Sequence, residues 1–349
     1  MLKAGLLGYP IDHSLSPIIH NAAYAALGLD WEYALYPCVD AAAFSAILTE
    51  AKANPQNFVG FNVTTPYKSL AYEACAEHSL FDAVTGSANV IVVSGDESLA
   101  QPVSAQPVSA HPVLRGDNTD GRGLIASLER EGGVKVAGAS VVLCGTGPVA
   151  MSTLLALIDA NVASVDVASR DPRGGAERVL GLCERLDKER GLKRTSHTDV
   201  APTPRTGSET DEPYRETDEP VLRSPLSSLL SLPSMKVIGY ADVAATLERA
   251  DILIDATTVG MHPDDAAVVP LKALKPELTV LDVVYGHGET ALIKGAREVG
   301  ATAIDGLGML IEQAALTIEI WSQTQGTPLE APRPLMRQAA ASFLHGGRG

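Results

Sequence analysis

Cysteine is scarce in this chain: 349 residues contain four, Cys38, Cys75, Cys144 and Cys183, none in a Cys-x-x-Cys pair or at ligand spacing from a histidine. That pattern offers neither a zinc site nor a disulfide framework, so a reducing, cytoplasmic compartment is expected. The eight histidines show no metal spacing, and no metal is expected. Basic charge is also short, with 27 Lys and Arg against 42 Asp and Glu for a net charge of −15. Such a balance argues against nucleic acid or an anionic membrane surface as partner. An anionic substrate must then be held by local groups rather than by the overall field. No apolar run reaches the roughly 18 residues of a membrane span. The stretch from Met1 to Gly8 meets a turn at Tyr9-Pro10 before it can form the apolar core of a signal peptide. A soluble, unexported protein is the expectation.

What is abundant points to an α/β protein. Hydrophobic residues make up 46% of the chain and glycines number 31, in a length that suits two domains. Lys3 to Gly8 reads as a strand, and Ser16-Pro17 opens a helix to about Leu27 with Ser16 as its cap. Strands are expected at 31–39, 58–63 and 88–93, and helices at 41–52 and 67–77. Gln101-Pro-Val-Ser-Ala repeats at once from Gln106 and is echoed by His111-Pro-Val, as a loop expansion between hairpin strands would be. Val141 to Cys144, the turn Gly145-Thr146-Gly147-Pro148-Val149-Ala150, a helix from Met151 to Asp159 and a strand from Ser164 to Ala168 make a βαβ unit of the Rossmann type. Its first glycine permits the tight turn and its second lets backbone approach a pyrophosphate. Pro148 presets the helix start but has no N–H to donate. A helix is expected over 176–190. From about 194 to 231 the chain is rich in Thr, Pro, Ser, Asp and Glu and repeats Glu-Thr-Asp-Glu-Pro, which reads as a disordered insertion. Strands at 236–239, 252–256 and 279–284, and helices at 242–249, 290–299 and 309–323, complete the pattern.

Two runs carry chemistry. Asn62-Val63-Thr64-Thr65-Pro66-Tyr67-Lys68 and Gly116-Asp117-Asn118-Thr119-Asp120-Gly121 each set an ionisable residue among short hydroxyls and amides. A lysine at its ordinary pKa is a poor acid–base catalyst and needs burial or a charged partner. Asp117 is the candidate partner of Lys68; singly, the two read equally as a surface lysine and a turn former.

Five collinear motifs resemble the shikimate dehydrogenase family over nearly the whole chain. They are His13-Ser14-Leu15-Ser16-Pro17 with His20-Asn21, the 62–68 run, the 116–121 run, the glycine turn at 145, and Asp305-Gly306-Leu307-Gly308-Met309-Leu310 leading to Gln313. The resemblance implies two α/β domains: a substrate-binding domain over 1–118, with helices of 312–349 packing back on it, and a Rossmann-type domain over 119–311 that contains the insertion. It implies reversible reduction of 3-dehydroshikimate with a nicotinamide cofactor, Lys68 and Asp117 acting as the acid–base pair. Ser14 and Ser16 match the positions that hold the substrate carboxylate. Asn62 and Thr64 end a buried strand where α/β sheets bind ligands. Asn89 matches a further substrate amide, though Val90 follows where the family commonly has Thr. Tyr285 and Gln313 would close the site from the other side.

Gly145, Thr146, Gly147, Pro148 and Val149 match the cofactor turn. Thr257, Thr258, Val283 and Gly306 match the nicotinamide pocket, with Asp255 where Asn is frequent. Ser169-Arg170-Asp171 stands in place of the family's Asn-Arg-Thr: Arg170 suits the 2′-phosphate of NADP, with Arg173 as a second contact, and Asp171 pulls the other way. The expectation is an NADP enzyme in a homodimer acting on a small molecule. The alternatives are a quinate/shikimate dehydrogenase using NAD and an inactive ligand-binding paralogue, against which the retention of both Lys68 and Asp117 argues.

Overall fold

The computed structural model describes residues 1–95, 113–191 and 232–346. The repeats of the hairpin loop from Gln101 to Pro112 and the acidic insertion at 194–231 lie outside the described residues. The chain forms two six-stranded sheets. In the first, β1 (Leu2–Gly8) pairs in parallel with β2 (Trp31–Pro37) and β3 (Phe58–Val63). Beyond β3, β5 (Val90–Ser94) runs antiparallel and pairs with antiparallel β6 (Val113–Asp117), whose far side takes β4 (Glu77–His78). All six residues of β3 are buried, as a strand covered on both faces requires. α1 (Ser16–Leu27), α2 (Ala41–Ala53), α3 (Lys68–Ala74) and α4 (Leu80–Thr85) accompany this sheet.

The second sheet is wholly parallel, in the order β12-β11-β10-β7-β8-β9. Its strands are β7 (Ser140–Cys144), β8 (Ser164–Ser169), β9 (Ser234–Gly239), β10 (Ile252–Asp255), β11 (Thr279–Asp282) and β12 (Thr302–Ile304). Read from the other edge this is the doubly wound order 3-2-1-4-5-6, whose switch point falls between β7 and β10. α5 (Asp120–Gly132) links the sheets, and α6 (Pro148–Asp159), α7 (Pro172–Glu189), α8 (Val243–Leu247) and α9 (Ala291–Glu298) belong to the second.

α10 (Gly306–Thr324) is one continuous helix, so the expected division at 311/312 falls inside it. Its Ile311, Ala314, Ile318 and Trp321 enter the core of the first sheet, where α11 (Arg333–Gly346) joins α1. Gly60 makes room for this return: a Cβ there would stand 2.3 Å from Trp321 Nε1, and that indole donates to the Ile91 carbonyl at 3.1 Å.

Helix starts depart from expectation at three places. Ser16 is the first helical residue of α1, with Leu15 at the cap position and no side-chain cap. α7 begins at Pro172 rather than 176, because Asp171 accepts a hydrogen bond from Gly174 N and overrides the weak helix preference of Gly174-Gly175. α10 begins three residues before Met309 because Asp305 caps it.

Candidate functional site

A cavity of about 220 Å³ opens at the carboxyl ends of β1 and β3 and is closed by α10 and the loop after β11. All seven residues expected to meet a substrate line it: Ser14, Ser16, Asn62, Thr64, Asn89, Tyr285 and Gln313. Ser14 Oγ bonds Ser16 Oγ at 3.1 Å and accepts from Ser16 N at 3.2 Å, which fixes the two hydroxyls side by side. Asn62 is held on both ends of its amide: Oδ1 accepts from Tyr33 Oη at 3.0 Å, and Nδ2 donates to Thr317 Oγ1 at 3.1 Å. Burial raises the Tyr285 phenol pKa, so it stays a neutral donor.

The Lys68 partner is Asp120, not Asp117. Lys68 Nζ stands 2.5 Å from Asp120 Oδ2, and both line the cavity. Asp117 lies at the end of β6, where its carboxylate accepts from Ser79 Oγ at 2.6 Å and Asn118 N at 2.7 Å and pairs with Arg122 at 2.7 Å. It lines neither cavity described here. The two intervening residues steer the chain: Asn118 Nδ2 donates to Ser87 O at 2.7 Å, and Thr119 N to Asn89 Oδ1 at 2.8 Å. Asp120 thereby becomes the first residue of α5, a position that suits an acid, and Asn89 Nδ2 donates to its Oδ1 at 2.7 Å. The Asn-Thr turn followed by an acid in the first helical turn was the available signal for Asp120.

A groove of about 1,010 Å³ runs between the two sheets and meets the smaller cavity at Thr64, Lys68, Val149, Val283 and Tyr285. Thr146, Gly147, Pro148, Val149, Thr257 and Val283 line it, as expected of cofactor residues. Gly145 underlies the turn with φ +105°, a backbone that suits glycine, and nothing lies within 4 Å of a Cβ built on Gly147. The open space at Gly147, at the head of α6, fits the close approach of a dinucleotide pyrophosphate.

Other expected contacts fall elsewhere. Gly306 lines the smaller cavity, where a Cβ would meet Val283 O at 2.0 Å. Ser169 is buried in a turn, its hydroxyl donating to Asp171 O at 2.8 Å. Arg170 is exposed just past β8 and outside the groove lining. Arg173 is 93% exposed and faces Glu177 at 3.7 Å. Asp171, engaged as the cap of α7, does not stand free to accept a ribose hydroxyl. Arg178, which the sequence reading passed over, lines the groove.

Asp255 and Asp282 sit side by side at the ends of β10 and β11, each 1% exposed. Burial, and then the charge of Asp282, push the Asp255 carboxyl up to about 7; bonds from Thr257 pull it back. Burial raises Asp282 as well, against hydrogen bonds from Thr290 and Val284. Through Thr257 N at 3.0 Å and Val284 N at 3.0 Å, the pair holds two loops that line the groove. Among the described residues no group of three or more His, Cys, Asp or Glu could hold a metal ion, and no helix is long and apolar enough to cross a membrane.

Residues 6–91 match the family model for the shikimate dehydrogenase substrate binding domain. Over its length the chain is similar to the shikimate dehydrogenase (NADP(+)) of Halobacterium salinarum, at 33% identity over 97% of this chain and 98% of the relative. It is similar to that of Methanopyrus kandleri at 29% over 97% and 95%. Among solved structures, a shikimate dehydrogenase in complex with NADP+ superposes with a TM-score of 0.73 at 27% identity, covering 99% of this chain and 96% of the other.

Proposed function

The chain belongs to the shikimate dehydrogenase family, and on that premise we propose that it catalyses the reversible NADP-dependent reduction of 3-dehydroshikimate to shikimate. The observation that carries this reading is the Lys68–Asp120 pair inside a cavity walled by hydroxyls and amides, opening onto a groove built on a glycine turn. The cofactor, when bound, supplies or accepts the hydride. Ser14 and Ser16 meet the ring carboxylate; Asn62, Thr64, Asn89 and Gln313 meet ring hydroxyls. A substrate lacking one of these hydroxyls would leave a buried amide unpaired, at a cost of about 1–3 kcal/mol, which is how such a wall selects. As negative charge gathers on the carbonyl oxygen, the Lys68 ammonium stabilises it and delivers a proton to it. In the opposite direction neutral Lys68 takes the hydroxyl proton. Asp120 orients Nζ and supports its charge, and Asn89 in turn holds Asp120.

Arg170 past β8, with Asp171 occupied as a helix cap, supports NADP over NAD. Exposed, Arg170 remains at the end of the second Rossmann strand, where a 2′-phosphate would lie. The same reading makes this a cytoplasmic homodimer that takes no nucleic acid: its four cysteines are free and buried, and its net charge is −15. Steady-state kinetics test the proposal. Lys68→Ala should lower turnover by roughly 10²–10⁴ with NADP affinity nearly intact; near-normal turnover contradicts it.

A further inference from the structure

The glycine turn meets a pyrophosphate with fewer donors than its shape suggests. Pro148 stands at the first position of α6 without an N–H, and Gly147 caps that helix with no side-chain bond. A chain of net charge −15 must compensate locally. Among the described residues, the Lys and Arg side chains that line the groove are Lys68 and Arg178. Lys68 is committed to Asp120.

We propose that Arg178 is a cofactor-binding residue, its guanidinium taking the pyrophosphate at the glycine turn. The proposal rests on the dinucleotide reading above. Arg178 lies on α7, beside the buried stripe of Gly175, Val179 and Leu182. Gly175 lets that helix sit close to the sheet, since a Cβ there would come 3.0 Å from Ser169 Cβ and 3.1 Å from Val237 Cγ1. From this position Arg178 Nη1 reaches the turn, donating to Thr146 Oγ1 at 3.0 Å and to Thr146 O at 3.4 Å. These bonds park a planar, permanently charged fork at the mouth of α6, in the geometry that suits a phosphate oxygen pair. Arg178 therefore acts on the part of the cofactor common to NAD and NADP, whereas Arg170 acts on the 2′-phosphate that only NADP carries.

Calorimetric titration of NADP, NAD and adenosine 2′-monophosphate into wild type, Arg178→Gln, Arg178→Lys and Arg170→Ala separates the two roles. Arg178→Gln should weaken NADP and NAD alike by roughly 10- to 100-fold, the size of a lost hydrogen bond to a charged group. It should leave the monophosphate unchanged, and KM for both dinucleotides should rise in parallel while KM for shikimate stays. Arg178→Lys should recover part of the loss. A loss confined to NADP and the monophosphate overturns the pyrophosphate assignment, as does no loss at all. In either of those outcomes the dehydrogenase reading survives, provided wild type binds NADP; if wild type binds no dinucleotide, both readings fall.

Discussion

Lys68 and Asp120, 52 residues apart in the chain, meet as an ion pair of 2.5 Å with their side chains 15% and 9% exposed. Asp117, three residues earlier, is spent on Ser79, Asn118 and Arg122. Asp120→Asn should lower turnover by roughly 10²–10⁴, as expected for an acid–base unit deprived of its carboxylate. Asp117→Asn should act mainly on stability, lowering the melting temperature with a smaller loss of turnover. A reversed ranking of the two variants in kcat would restore Asp117 as the partner.

Arg170→Ala should raise KM for NADP and leave KM for NAD little changed, because Arg170 addresses the 2′-phosphate alone. Steady-state titration of both cofactors reads this directly. A parallel rise for both would assign Arg170 to some other part of the dinucleotide.

Gly121 permits α5 to lie against α6: a Cβ on it would stand 2.0 Å from Ser152 O. Its own N–H donates to Ser152 Oγ at 3.1 Å. Gly121→Ala should destabilise the protein by about 1–3 kcal/mol through forced separation of the helices, and, since Asp120 is the adjacent residue, kcat should fall too. Denaturant midpoints within error of wild type would refute the close contact.

Asp255 gives a stability slope of unusual sign. Its carboxyl is pushed up to about 7 in the fold, from 3.8, so the folded chain keeps a proton that the unfolded chain releases. Stability from this group is therefore present below about pH 4 and is lost as pH rises toward 7, by an amount on the order of 1–4 kcal/mol. Asp255→Asn removes the slope, so the variant should gain on wild type between pH 4 and pH 8. An unchanged difference in melting temperature across that range would argue that burial does not shift this group.

Much of this was legible in the chain. The continuous apolar run of β7, its glycine turn and the proline opening α6 announce the second domain through local rules. The substrate wall was legible because Ser14, Asn62, Thr64 and Asn89 belong to short runs whose spacing survives folding. What was hidden depends on tertiary geometry. The identity of the Lys68 partner turns on how Asn118 and Thr119 bond across to Ser87 and Asn89. Arg178 is brought to the glycine turn by the packing of a helix that begins four residues earlier than its two glycines suggested. Asp305 likewise extends α10 toward the cavity through a cap whose strength the periodicity of 309–323 does not register.

The most direct measurement of the central claim is a set of initial rates with shikimate and with quinate, each with NADP and with NAD. Shikimate with NADP should be oxidised far faster than any other pairing. Equal use of the two cofactors, or faster turnover of quinate with NAD, would contradict the account.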